Sequence, residues 1–170
     1  MSKIVYKGCF AYPPVLHSIS DELAVLRSKM SKDVYAKGTE KYRGKREHEL
    51  SSFGILGELI ARDFLSLRPI KFTSAPLVDF RPVVEPDIVV NVEHEKTRID
   101  VKAVKKYGDK FLINHPAHNN ENKRVDFYWF VKIEDNFQAR HYLVKVTEVN
   151  SWEVKQFSYT KAYFHKIPSI

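Results

Sequence analysis

The spacing of apolar residues changes once along this chain, near residue 70, and that change limits the possible folds more than any other feature. Before it, apolar side chains recur at helical intervals. Leu23, Leu26 and Met30 follow Ser20-Asp21-Glu22, which predicts a helix opening there with acids in its first turn. Leu50, Phe53, Ile55, Leu56, Leu59, Ile60, Phe64 and Leu65 form a broad apolar face. They predict a second helix from about Glu47 to Leu67, stopped by Pro69. From Phe72 onward the period is that of strands. The candidates are 88–92, 98–104, 110–114, 126–133 and 139–146, with turns at Glu93–Thr97 and Glu134–Phe137. The apolar run Phe127–Val131 predicts a strand buried on both faces. Ser151-Trp152-Glu153 predicts a cap for a short last helix, and the aromatic, basic segment Tyr159–Lys166 reads as a packed C-terminal strand. The expectation is an α/β protein with one domain over 1–170, helical over 15–68 and rich in sheet over 70–170.

Composition narrows the partners. Lys plus Arg number 28 against 21 Asp plus Glu, a net charge of +7, which suits a polyanion: nucleic acid or an anionic surface. The one cysteine, Cys9, cannot form an internal disulfide. No stretch approaches the ~20 apolar residues that cross a bilayer, and no signal-peptide pattern follows Met1, so a cytoplasmic protein is expected. The charge-dense stretch Lys32–Arg46 reads as an exposed helix end or loop. No phosphate-binding loop, dinucleotide fingerprint or nucleophile elbow occurs, which disfavours ATP-driven and triad chemistry.

Two glycines, Gly54 and Gly57, fall inside the second helix, where each costs ~1 kcal/mol relative to alanine. Close approach of a strand or a ligand would explain them. The next residue, Glu58, is a carboxylate in an apolar segment, where an unpaired charge is costly. A metal ion, a basic partner, or simply Arg62 one turn later would relieve it.

The most chemically suggestive residues are Pro86-Asp87 and Asp100-Val101-Lys102. Folding the chain about the Glu93–Thr97 turn sets Asp87 opposite Asp100 to Lys102, with cross-strand neighbours ~5 Å apart. Asp100 and Lys102, two apart on a strand, share one face, while Ile99, Val101 and Ala103 face a core. Carboxylates and an amine so gathered can bind a divalent cation and activate water. An amphipathic strand with a solvated Asp and Lys is the plainer account of Asp100-x-Lys102 alone.

Taken together, Gly-x-x-Gly-Glu58, Pro86-Asp87 and Asp100-x-Lys102 resemble the PD-(D/E)xK nuclease superfamily over about Leu50 to Asn114. The resemblance implies a restriction-endonuclease-like core, a mixed central β-sheet flanked by helices. It implies a DNA endonuclease that hydrolyses phosphodiesters with Mg²⁺ or Mn²⁺, on double-stranded or branched DNA, in recombination, restriction or phage DNA processing. Asp87 and Asp100 would be metal-binding carboxylates, Glu58 a further acid binding metal directly or through water, and Val101 a main-chain carbonyl donor. Lys102 would orient or help deprotonate the attacking water. Many relatives are dimers, so a homodimer is implied too. The alternative is a non-catalytic nucleic-acid-binding module with a nuclease-like fold.

Basic residues elsewhere suit phosphate contacts: Lys41, Arg43, Lys45 and Arg46 before the second helix, Lys105 and Lys106 after Lys102, and Lys123 and Arg124 beyond. His115 lies in Asn114-His-Pro-Ala-His-Asn-Asn120, a turn-rich loop that can touch substrate. His115 and His118 would also be the ligands of a zinc-binding interaction protein, but no cysteine pair accompanies them, and surface-loop histidines are the expectation.

Overall fold

The computed structural model describes residues 3–35, 45–78, 85–158 and 160–170. In chain order the elements are β1 (Ile4–Ala11), α1 (Val15–Tyr35), α2 (Lys45–Ser66), β2 (Lys71–Ser74), β3 (Ile88–Val92), β4 (Glu95–Val104) and β5 (Lys110–Asn114). They continue with α3 (His115–His118), β6 (Phe127–Ile133), β7 (Gln138–Lys145), α4 (Val146–Val149), β8 (Glu153–Gln156) and β9 (Lys161–Lys166).

Three layers result. The middle layer is a six-stranded mixed sheet in the order β1-β7-β6-β4-β3-β2, in which β4 and β6 run parallel and every other pair antiparallel. A parallel pair needs a crossover, and here it is β5 and α3, which leave the sheet to join a smaller one, β5-β9-β8. The alternation of β6 serves both neighbouring layers. Trp129 and Val131 join Leu56, Ile60, Ala61 and Leu65 of α2, while Tyr128 and Phe130 join Phe111, Ile113, Trp152 and Tyr163 beside the small sheet. The strand expected to be buried on both faces is so buried, from Tyr128 to Val131. α1 packs on α2 through Ala24 and Ile55.

Gly57 seats the helical layer. A Cβ there would stand 2.8 Å from the Ala103 Cβ, so only glycine lets α2 lie this close to β4. At Gly54 a Cβ would meet nothing within 4 Å, and close approach does not account for it.

Several expectations need correction. α1 begins at Val15, not near Ser20, and has no acid in its first turn. Pro13 and Pro14 start it, their carbonyls accepting from Leu16 N and His17 N, as suits residues that lack an N–H themselves. Ser151 does not cap a helix. Its hydroxyl turns back to the Glu148 carbonyl behind α4, Trp152 is buried, and Glu153–Gln156 pairs with β9 as a strand. His115–His118 is one helical turn rather than a loop, because Asn114 caps it by accepting from Ala117 N. β1 and β2, the two edge strands, were not anticipated. Among the described residues, no helix is long and apolar enough to cross a membrane.

Candidate active site

The β3–β4 hairpin turns through two residues, Glu93 and His94, with φ of 46° and 73°. Such a turn matches the natural twist of paired strands and fixes their register, with Val92 opposite Glu95 and Ile88 opposite Ile99. One step further, Asp87 lies opposite Asp100, and its amide donates to the Ile99 carbonyl at 3.0 Å. The next amide of β4, Val101 N, then has no backbone partner on β3, and the Asp87 carboxylate takes that place, accepting at 2.6 Å. Asp87 is thus oriented by the strand end itself.

On the face shared by Asp100 and Lys102, the Asp100 carboxylate is almost wholly buried and accepts from two ammonium groups. Lys102 Nζ lies 2.9 Å from Oδ1, and Lys123 Nζ lies 2.7 Å from Oδ2. Lys102 comes from the same strand and is 37% exposed, whereas Lys123 arrives from the segment between α3 and β6 with its side chain only 7% exposed. Lys123 also stands over the Tyr128 ring, 5.0 Å from its centroid. The Tyr128 hydroxyl lies 2.9 Å from His118 Nδ1, and His118 Nε2 lies 2.8 Å from Asn150 Oδ1. An amide oxygen only accepts, so Nε2 carries the imidazole proton and Tyr128 donates to Nδ1.

Burial and neighbouring charge set the protonation states. Burial pushes the Asp87 carboxyl up, and the nearby Asp100 and Glu58 carboxylates add to this, raising it to about 8. Asp100 goes the other way: burial works against its charge, but Lys102 and Lys123 outweigh it and hold the carboxyl well below the usual range. Asp87 is thus pushed toward its neutral form and Asp100 toward its charged one. Burial likewise works against the Lys102 ammonium, and Asp100, Asp87 and Glu58 together overcome it, so Lys102 stays charged. Glu58 is raised by burial, an effect opposed by Arg27 and Arg62, and Arg62 is its ion-pair partner at 3.5 Å.

These contacts place the expected residues as follows. Asp87, Asp100 and Lys102 come together on the hairpin. Glu58 is within their electrostatic reach but turned to Arg62. Among the described residues, no three His, Cys, Asp or Glu side chains are gathered closely enough to hold a metal ion, so Glu58 does not complete a three-carboxylate cage. Lys123, expected on an open basic surface, is inside the site. Lys105 and Arg124 are exposed, and Lys106 pairs with Asp135 beyond the far end of β4. At the strand rise per residue that end, Val104, is already ~13 Å from Asp100. Lys41 and Arg43 fall outside the described residues, as do the side chains of Lys45 and Arg46. His115 stacks on Tyr163 with ring centroids 4.9 Å apart. His118 is buried rather than on the surface, and its two bonded ring nitrogens have no lone pair to offer zinc.

Asp87 and Asp100, two buried carboxyl groups beside one strand end, supply hard oxygen donors of the kind a divalent cation takes. Asp87 and Asp100 are the residues that could hold it. No protein-family model matches the chain, and no curated protein matches its sequence.

Proposed function

We propose that this chain is a Mg²⁺- or Mn²⁺-dependent deoxyribonuclease with a restriction-endonuclease-like core. The observation that carries the reading is the convergence of Asp87, Asp100 and Lys102 at the open end of one hairpin, with the lysine partly exposed beside a buried carboxylate pair. The excess of basic residues supports a polyanionic substrate. The cation, when bound, supplies a more acidic water and polarises the phosphoryl oxygens. The chain's own contribution is positional. Lys102 is the exposed cation of the site, held by Asp100 where it can donate to a phosphate oxygen as negative charge develops there. Water adds to phosphorus as it gives up a proton to solvent, the P–O bond opposite it breaks, and the departing oxygen takes a proton from solvent. Asp87, tied to Val101 N, keeps its carboxylate on the strand end through the cycle.

The test is cleavage of supercoiled plasmid and of branched DNA with Mg²⁺ or Mn²⁺, beside Asp100→Asn and Lys102→Met. Wild type should cut, and each variant should lose about 10² or more of the rate. Wild-type protein that binds DNA without cutting it, or variants that cut as well as wild type, would sink the enzyme reading. The first of these outcomes would favour a non-catalytic nucleic-acid-binding module, a reading drawn from one observation: both Asp100 oxygens are engaged by lysines, as in a structural ion pair.

A further inference from the structure

We propose that Lys123 is a built-in cation that competes with the divalent metal for Asp100 Oδ2, so that the two occupy that oxygen in turn. The proposal rests on the metal-dependent reading above and deepens it. A lysine is almost never buried without a partner, and Lys123 is buried with two: the Asp100 carboxylate at 2.7 Å and the face of Tyr128. The seat is built rather than incidental, because the Tyr128 hydroxyl is bonded away to His118 and His118 in turn to Asn150, which fixes the ring under the ammonium. Lys102 covers the other oxygen, Oδ1, and is the more exposed of the two amines. Neither Asp100 oxygen is therefore open, and a cation approaching Oδ2 meets an ammonium already there.

Lys123 is also the amine that can leave. Its backbone is tied down, with Lys123 N donating to the Asn120 carbonyl at 2.9 Å and Asn122 N to Asn120 Oδ1 at 3.0 Å. Its four-carbon stem gives the ammonium freedom to swing while the chain stays put. Displaced by a metal ion, the ammonium moves toward the mouth of the site, where a phosphodiester would receive it. Divalent metal then binds weakly to the protein alone and more firmly when the substrate's phosphate takes up the released charge.

Two measurements without nucleic acid decide the matter. Mn²⁺ binding by calorimetry, on wild type and Lys123→Met, should show about tenfold tighter binding by the variant. In wild-type protein, Lys123 should resist an amine-acetylating reagent in the metal-free state and become reactive on adding Mn²⁺, as read by peptide mass spectrometry. The second measurement stands even if Lys123→Met fails to fold. If wild type binds Mn²⁺ while the variant binds no more tightly, or Lys123 stays protected with Mn²⁺ bound, the competition is wrong and the metal site survives. If neither protein binds Mn²⁺, the metal-dependent reading falls and takes this inference with it. Asp100→Asn should abolish binding, and retention of binding there would place the metal elsewhere and overturn the proposal.

Discussion

Replacing Gly57 by alanine tests how the helical layer sits on the sheet. The added Cβ would lie 2.8 Å from Ala103 Cβ and 3.3 Å from Ala103 Cα, and the second atom is backbone in the centre of a six-stranded sheet, unable to turn aside. Forcing a methyl into a packed core costs about 1–3 kcal/mol. Against that stands the gain of alanine over glycine in a helix, about 1 kcal/mol. The net change for Gly57→Ala is therefore a loss of up to about 2 kcal/mol. Gly54→Ala, one turn earlier in the same helix, has the propensity gain and open space around its methyl, so it should stabilise by up to about 1 kcal/mol. The contrast between the two variants isolates the contact with β4, because propensity cancels. Urea unfolding at neutral pH, with the slopes checked for equality, gives both numbers. Adding Ala103→Gly to each background completes a double-mutant cycle, in which coupling should appear with residue 57 and not with residue 54. If Gly57→Ala proves as stable as Gly54→Ala, the proximity of α2 to β4 is not what requires glycine.

Two further outcomes concern buried titrating groups, measured in chelating buffer. Asp87 has a folded pKa near 8 against an ordinary 3.8, so the folded state holds the extra proton between these values and stability is lost as pH rises through that window. One such proton gives a slope of up to ~1.4 kcal/mol per pH unit, which Asp87→Asn should remove; melting curves from pH 6.5 to 8 read it, and an unchanged slope refutes the assignment. His141 behaves oppositely: burial, with Arg68 adding to it, lowers its imidazole to about 4, so its neutral form stabilises above 6.5 and that contribution is lost as pH falls toward 4. Its Nδ1 accepts from Trp129 Nε1 at 3.0 Å, so His141→Phe should cost about 1–3 kcal/mol at pH 7 by orphaning the indole N–H. That deficit should narrow by pH 5, and a constant deficit would mean His141 does not titrate with unfolding.

Much of the hairpin was legible because its signals are local. Alternation located β3, β4 and β5, and folding about a turn expected at Glu93–Thr97 brought Asp87 near Asp100 to Lys102. The turn is only Glu93 and His94, however, and Glu95–Thr97 already pairs as part of β4. The helix glycine beside Glu58 pointed to close packing, and Ala103 supplies it. What stayed hidden depends on distant pairing. β1 has six of its eight residues exposed and little apolar alternation, so its pairing with β7 leaves no pattern to read. Lys123 sits in Asn119-Asn-Glu-Asn-Lys123, which reads as a solvated turn. Its burial follows only from the parallel register that sets Asp100 beside Tyr128, a relation between strands with β5 and α3 between them in the chain. β8 was missed because Ser151 is a good helix cap in isolation, and only Trp152 entering the core decides otherwise.

The pairing of β1 with β7 has a consequence for the order of folding. Ile4 pairs with Val144 and Ala11 with Gln138, so this edge joins the two ends of the six-stranded sheet's sequence. Loop closure on that scale must precede any reward from the pairing, which favours late formation of the edge and slow completion of the sheet. Until β1 docks, β7 presents its open row of amides and carbonyls to any passing strand. A fusion or truncation touching residues 4–11 should therefore raise aggregation during refolding long before it alters the hairpin that carries Asp87 and Asp100.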